Sequence, residues 1–166
     1  MSKDSIQVRE LILADIPDCE KILYSLPDWF GKKESNHAYI ESLSKLPGAV
    51  AVINGLLVGF IAVIKHTSNS YEIHVMAVDA SLHRNGIGKV LVRWAESWCI
   101  EKGISWLHVK TRGPSTPDPG YNRTRLFYLD QGFEPLFESL TLWGSQDAAL
   151  IMVKHLTCLH DRKPLE

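Results

Sequence analysis

Between Tyr71 and Gly88 the chain reads YEIHVMAVDASLHRNGIG, and no other stretch restricts its fold as tightly. The first half is apolar and β-branched, the composition of a buried strand. The second half ends in His83-Arg84-Asn85-Gly86-Ile87-Gly88-Lys89 and leads straight into an amphipathic helix. Two glycines one residue apart let the backbone approach a ligand closely and aim several N–H groups at one point. The first helical turn adds unpaired N–H donors and the positive end of the helix dipole. Such a corner suits a phosphate or pyrophosphate. Two nucleotide-binding patterns nevertheless fail on residues. The dinucleotide fingerprint needs glycine at 91, where Leu91 stands, and a Walker loop needs glycine at 83 and Ser or Thr at 90, where His83 and Val90 stand.

Around this stretch the elements can be read in order. Ser5 to Leu13 alternates as a first strand. Asp15 reads as the N-cap of a short helix with Pro17 in its first turn and Ile22 and Leu23 on its apolar stripe. Trp29 and Phe30 follow in a turn-rich segment, as a hydrophobic plug or as one wall of a binding cleft. Ser35 opens a second helix that passes Leu43 and Leu46 and stops at Pro47-Gly48. Asn54-Gly55 then joins strands 49–53 and 56–66 in a hairpin, and the strand from Tyr71 completes an antiparallel meander. After the glycine turn, Ile87, Leu91, Trp94 and Trp98 define one face of a helix that ends before Gly103. A strand over 104–111, a loop through 113–120, a short helix over 124–131 and two strands at 133–143 and 149–156 complete the chain. Strand, helix and strand in succession favour a parallel pair joined by a crossover helix. The order β-α-α-β-β-β-α-β-α-β-β describes a mixed α+β domain on one twisted, mostly antiparallel seven-stranded sheet.

Composition narrows the class further. A length of 166 residues fits a single domain, 1–166, with its core over about 5–157 and a polar, frayed tail from His160. Net charge is −1, which gives neither a nucleic-acid footprint nor a membrane-surface patch. The longest apolar run, Gly55 to Ile64, is far below the roughly 20 residues of a membrane span. The first ten residues, MSKDSIQVRE, are too polar for a secretory signal. Cys19, Cys99 and Cys158 are widely spaced without a C-x-x-C pair and read as reduced thiols of a cytoplasmic protein. The histidines at 37, 66, 108, 155 and 160 lack the spacing of a metal-binding helix, so no metal is expected. Two partly exposed sheet edges leave a homodimer open.

The glycine turn resembles motif A of the GNAT superfamily of N-acetyltransferases, Q/R-x-x-G-x-G/A, with His83 in the Q/R slot. Tyr121 to Pro135, YNRTRLFYLDQGFEP, looks like motif B, N-x-x-A-x-x-x-Y-x-x-x-G-F. Tyr128, Gly132 and Phe133 match in type and spacing; Thr124 replaces the usual alanine, and Asn122 falls one place after the usual asparagine. The element order also agrees, so the resemblance covers nearly the whole chain.

Moving an acetyl group from a thioester to an amine requires four things. The amine must be neutral, although a lysine-like amine has a reference pKa of about 10.4. The oxyanion needs a fixed N–H donor, the leaving thiolate a proton donor, and the donor molecule a held attack geometry. The resemblance implies acetyl-CoA as co-substrate. It places the diphosphate on His83, Arg84, Asn85, Gly86, Ile87, Gly88 and Lys89, with Asn122 as a further contact. It also gives an oxyanion donor among the backbone of Met76, Ala77 and Val78, and Tyr128 as acid. Glu72 matches the strand glutamate that serves as base in histone-acetylating members, eleven residues before the Q/R slot. Burial beside Ile73 and Val75 is expected to raise its pKa. Strand periodicity puts Glu72, His74 and Met76 on one face, so the base is Glu72, His74 or a water they share. Trp29 and Phe30 are candidate acceptor contacts. The expected reaction is direct attack by a primary amine of a small molecule or peptide; the alternative is an idle acyl-CoA-binding sensor.

Overall fold

Residues 5–156 are described in a computed structural model of the chain. The expectations for Cys158 and for the tail from His160 lie outside these residues. Strands β1 (Gln7–Glu10), β2 (Gly48–Ile53), β3 (Leu56–Lys65), β4 (Ser70–Val78), β5 (Trp106–Arg112), β6 (Glu134–Ser139) and β7 (Ala149–His155) alternate with helices α1 (Ile16–Tyr24), α2 (Lys33–Ser42), α3 (Ile87–Glu101) and α4 (Pro119–Asp130). The class is mixed α+β, as expected, and the sheet order is β1-β2-β3-β4-β5-β7-β6. No helix among the described residues is long and apolar enough to cross a membrane.

Two compact units are distinguished. Among the described residues, one comprises 5–64 with Ile73–Ala95, the other Lys65–Glu72 with 96–156. In the first unit, β1 pairs antiparallel with β2 and β2 with β3. The hairpin between β2 and β3 turns at Asn54 (φ 50°) and Gly55 (φ 80°), both in the left-handed region that a two-residue turn requires. Cys19, Ile22, Leu23 and Leu26 of α1 and its end pack with Ile40, Leu43, Val50, Phe60, Ala62, Val75 and Ala77 as one apolar cluster. Burial of each large side chain there contributes about 1.5–3 kcal/mol. In the second unit, β7 pairs antiparallel with both β5 and β6. There the Lys154 ammonium ties the Glu96 carboxylate to the Gln131 carbonyl.

Several boundaries differ from the sequence reading, each for a local reason. β1 is shorter than residues 5–13, because Leu13–Asp15 forms a 3-10 turn. Asp15 does not cap α1 through its side chain. Its carboxylate takes the Arg9 guanidinium at 2.7 and 2.8 Å and the Ile12 N–H at 2.9 Å. α2 starts at Lys33 and ends at Ser42, ahead of both expected limits. α4 begins at Pro119, five residues before Thr124, because Asp118 caps it by accepting from the Gly120 and Tyr121 N–H groups. β6 ends at Ser139, short of 143. The buried face of α3 is Ile87, Leu91, Val92, Ala95 and Cys99, with Trp94 and Trp98 half-buried beside it.

Candidate active site

In the first unit the site begins where β4 ends. Asp79 follows Val78 and accepts from both the N–H and the hydroxyl of Ser81, which starts the 3-10 turn Ala80–Leu82. His83 then donates from Nε2 to the Val78 carbonyl at 2.9 Å, tying the glycine turn back to the strand. Arg84 (φ 66°) and Gly86 (φ 83°) both lie in the left-handed region, which reverses the chain into α3. Asn85 Nδ2 donates to the Leu82 carbonyl at 3.2 Å. The first helical bond is Val90 N–H to Gly86 carbonyl, 3.1 Å, so the N–H groups of Ile87, Gly88 and Lys89 find no backbone acceptor among the described residues. Met76, Ala77, Val78 and the turn 83–89 thus form one continuous stretch of this unit.

Gly59 of β3, which the motifs do not mark, also shapes this corner. A Cβ there would stand 3.1 Å from the Ala77 carbonyl oxygen and 3.2 Å from a methyl of Ile87. The close passage of three elements was hidden in the sequence, because the glycine lies in an ordinary apolar run.

The aromatic segment joins the same unit. Trp29 meets the His83 ring edge-on with centroids 5.7 Å apart. Phe30 meets Tyr39 at 6.1 Å, and Tyr39 meets His74 at 5.2 Å. Trp29, Phe30 and Tyr39 are all partly buried against the apolar cluster, so the segment is packed on one side. Buried Asn36 fixes it by donating from Nδ2 to the Phe30 carbonyl at 2.7 Å. Tyr39 and Asn36 had no motif to mark them.

In the second unit Glu72 is buried, yet its Oε2 lies 2.6 Å from His66 Nε2, 3.1 Å from Lys110 Nζ and 3.6 Å from His108 Nε2. The turn between β3 and β4 explains the meeting. His66 and Thr67 N–H groups bond the Ser70 carbonyl, and Asn69 takes the Trp106 N–H on its carbonyl and the Ser105 N–H on Oδ1. The turn is thereby pinned to the start of β5, and the His66 and His108 rings sit edge-on at 4.9 Å. Burial alone would push the Glu72 carboxyl up. The nearby His108 ring, the charge of the Lys110 ammonium and the hydrogen bond from His66 outweigh it and bring it down to about 2. The expected rise is therefore corrected: desolvation is present but is overcome by three basic partners from two other segments. The donor atoms of His66, Glu72 and His108 lie within 4.8 Å of one another, a set that could ligate a cation. The Lys110 ammonium already supplies positive charge to the same carboxylate oxygen.

Tyr128, on α4, is buried between the Phe127 and Phe133 rings at 5.1 and 5.4 Å. Burial pushes its phenol well above the usual range, so it stays protonated at neutral pH. Asn122 is exposed on the same helix. Nearby, Arg112 holds Asp118 at 3.3 Å and also pairs with Asp147, bracing the loops on either side of α4 and β7. An open depression of about 560 Å³ beside β1, lined by Arg9, Asp15 and Asp18 among others, contains none of the residues above.

The model of the acetyltransferase (GNAT) family matches residues 16–117. Among solved structures the chain is similar to a GNAT-family protein from Desulfovibrio desulfuricans, with TM-score 0.81 and 16% identity over 92% of this chain and 100% of that one. It is also similar to an aminoglycoside 6'-N-acetyltransferase complexed with coenzyme A, with TM-score 0.75 and 17% identity over 92% and 98%. A third is ribosomal-protein-alanine N-acetyltransferase from Brucella melitensis, with TM-score 0.70 and 20% identity over 90% and 99%. At these identities the likeness to solved structures is one of fold. No curated relative matches by sequence.

Proposed function

The chain belongs to the acetyltransferase (GNAT) family, and on that premise we propose that it moves the acetyl group of acetyl-CoA to a primary amine of a small molecule or peptide by direct attack in a ternary complex. One observation carries the reading: the N–H groups of Ile87, Gly88 and Lys89 open from a left-handed Gly86 with no backbone acceptor among the described residues. A diphosphate supplies the acceptors they lack, and Arg84 and Lys89 add charge. His83 positions the turn through the Val78 carbonyl. A main-chain N–H among Met76, Ala77 and Val78 is the proposed oxyanion donor, and exposed Asn122 the further contact on α4.

Tyr128 is the proposed acid for the departing thiolate; burial keeps its phenol protonated at neutral pH, so it has a proton to give. Trp29 and Phe30, with Tyr39 and His74 behind them, form the proposed wall for the acceptor. The named acceptors of the structural neighbours, an aminoglycoside and a ribosomal protein, support an amine without choosing its size. Both units are read as parts of one acetyltransferase domain. The free thiols Cys19 and Cys99 support a reducing, cytoplasmic setting. Exposed Leu136, Phe137, Leu140, Leu142 and Trp143, on and after the edge strand β6, support a homodimer, with sedimentation at micromolar concentration as the test.

A second reading, an idle acyl-CoA sensor, has one observation in its favour: a carboxyl held at about 2 is a weak proton acceptor. A thiol-release screen with acetyl-CoA against a panel of amines separates the two. Acetyl transfer to at least one amine supports the enzyme. Binding of acetyl-CoA without release for any amine supports the sensor, and no binding contradicts both.

A further inference from the structure

Apart from acetyl transfer, and independently of it, we propose that His66, Glu72 and His108 form a binding site for one divalent cation of the zinc class, which displaces the Lys110 ammonium from Glu72. All four residues belong to the second unit. Each of the three ligands offers one atom, and these atoms all lie within 4.8 Å of one another. Glu72 Oε2 stands 2.6 Å from His66 Nε2 and 3.6 Å from His108 Nε2. Around a four-coordinate zinc, ligand atoms at about 2.0–2.1 Å from the metal stand about 3.3 Å from one another. Both separations reach that spacing by shifts of less than about 1 Å, which side-chain rotation supplies.

The donor set selects the cation. Two imidazole nitrogens and one carboxylate oxygen suit Zn2+ and its transition-metal neighbours, whereas Mg2+ and Ca2+ prefer oxygen ligands throughout. The ligands come from the turn after β3, from β4 and from β5, so no local spacing in the sequence marks them. Main-chain bonds hold them in place. Asn69 accepts the Ser105 and Trp106 N–H groups, the His66 N–H bonds the Ser70 carbonyl, and the His66 and His108 rings already meet edge-on at 4.9 Å. Access comes through His66, whose side chain is 43% exposed against 6% for Glu72, and water completes the coordination. Lys110 Nζ lies 3.1 Å from the same Oε2. A divalent ion brought to this oxygen repels the ammonium, which is partly exposed on a flexible stem and turns to water. The exchange replaces one single-point charge by an ion with three ligands, and it ties the turn after β3 to β4 and β5.

Calorimetry of the full chain, stripped with a chelator and then given Zn2+, tests this. One equivalent should bind with a Kd below about 10 µM, and about 100 µM Zn2+ should raise Tm by about 3 °C or more. Mg2+ should bind at least about a hundredfold more weakly. His66→Ala and His108→Ala should each weaken Zn2+ binding at least about a hundredfold and remove the rise in Tm. Lys110→Met, which takes away the competing charge, should tighten binding at least about threefold. In histidine-labelled wild type, the ring signals of His66 and His108 should move together and saturate at one equivalent, a readout that stands even where a variant does not fold. Binding weaker than about 10 µM, Mg2+ binding as tight as Zn2+, histidine variants that bind like the wild type, or ring signals that move only at other histidines would overturn the site. A Lys110→Met variant that binds no more tightly overturns the displacement. None of these measurements uses acetyl-CoA or an amine, so failure of the cation site leaves the acetyl-transfer reading standing, and the reverse also holds.

Discussion

The glycine turn of the first unit and the Glu72 cluster of the second are both polar sites beside β4, but they are made of different material. The turn is built from main chain: its N–H groups are aimed by the dihedrals of Arg84 and Gly86 and by a single histidine bond to Val78. The cluster is built from side chains that meet only because β3, β4 and β5 bring residues 66, 72, 108 and 110 together. A main-chain site tolerates changes in side chain and depends on conformation. A side-chain site depends on each group, and its charge state depends on all of them. Substitutions in the turn should therefore move acetyl-CoA affinity, and substitutions in the second unit should move turnover or pH stability.

Tyr128→Phe tests that division most severely. Loss of the phenolic proton should lower kcat about 100- to 1000-fold, or ~3–4 kcal/mol of barrier, with little change in acetyl-CoA Kd by calorimetry. Equal losses in affinity and turnover would break the division.

Acid stability follows next. The Glu72 carboxyl is held at about 2 in the folded chain against a reference of 4.5. A lowered carboxyl contributes stability that is fully present above the unfolded value and lost as pH falls through the folded one. About 3 kcal/mol should therefore disappear between roughly pH 4.5 and 2. Urea midpoints over that range should show a smaller drop in Glu72→Gln, whereas turn variants should follow the wild type.

Gly86→Ala comes third. The added Cβ meets nothing within 4 Å, so its cost is one of conformation at φ 83°. That cost is about 1–2 kcal/mol, enough to weaken acetyl-CoA binding about tenfold if it is relieved by shifting the turn. The His66 and His108 resonances should stay in place.

Lys89→Ala should have the smallest effect. It should weaken acetyl-CoA about two- to threefold at low salt and less at high salt, because an exposed charge is largely screened. A larger effect than that of Gly86→Ala would mean that charge rather than backbone holds the ligand.

The same contrast explains what the sequence disclosed. The order of strands and helices, the Asn54-Gly55 hairpin and the glycine turn were legible, because each depends on residues close in the chain. Asp118 capping α4 at Pro119 was legible in principle as an Asp-Pro start, but the surrounding prolines read as loop. The Glu72 environment was not legible. Its neighbours Ile73 and Val75 announce burial, while the opposing charges come from residues six before it and thirty-six and thirty-eight after it in the chain. Gly59 was equally silent, since only the packed structure places Ala77 and Ile87 beside it.

The most direct test of the central claim is a titration of 15N-labelled protein with coenzyme A, followed by backbone amide shifts. The account predicts saturable movement of the amides from Arg84 to Lys89, with the midpoint displaced about tenfold by Gly86→Ala. Amides in that turn that stay still while coenzyme A is bound, or a Gly86→Ala variant that binds as tightly as the wild type, would contradict it.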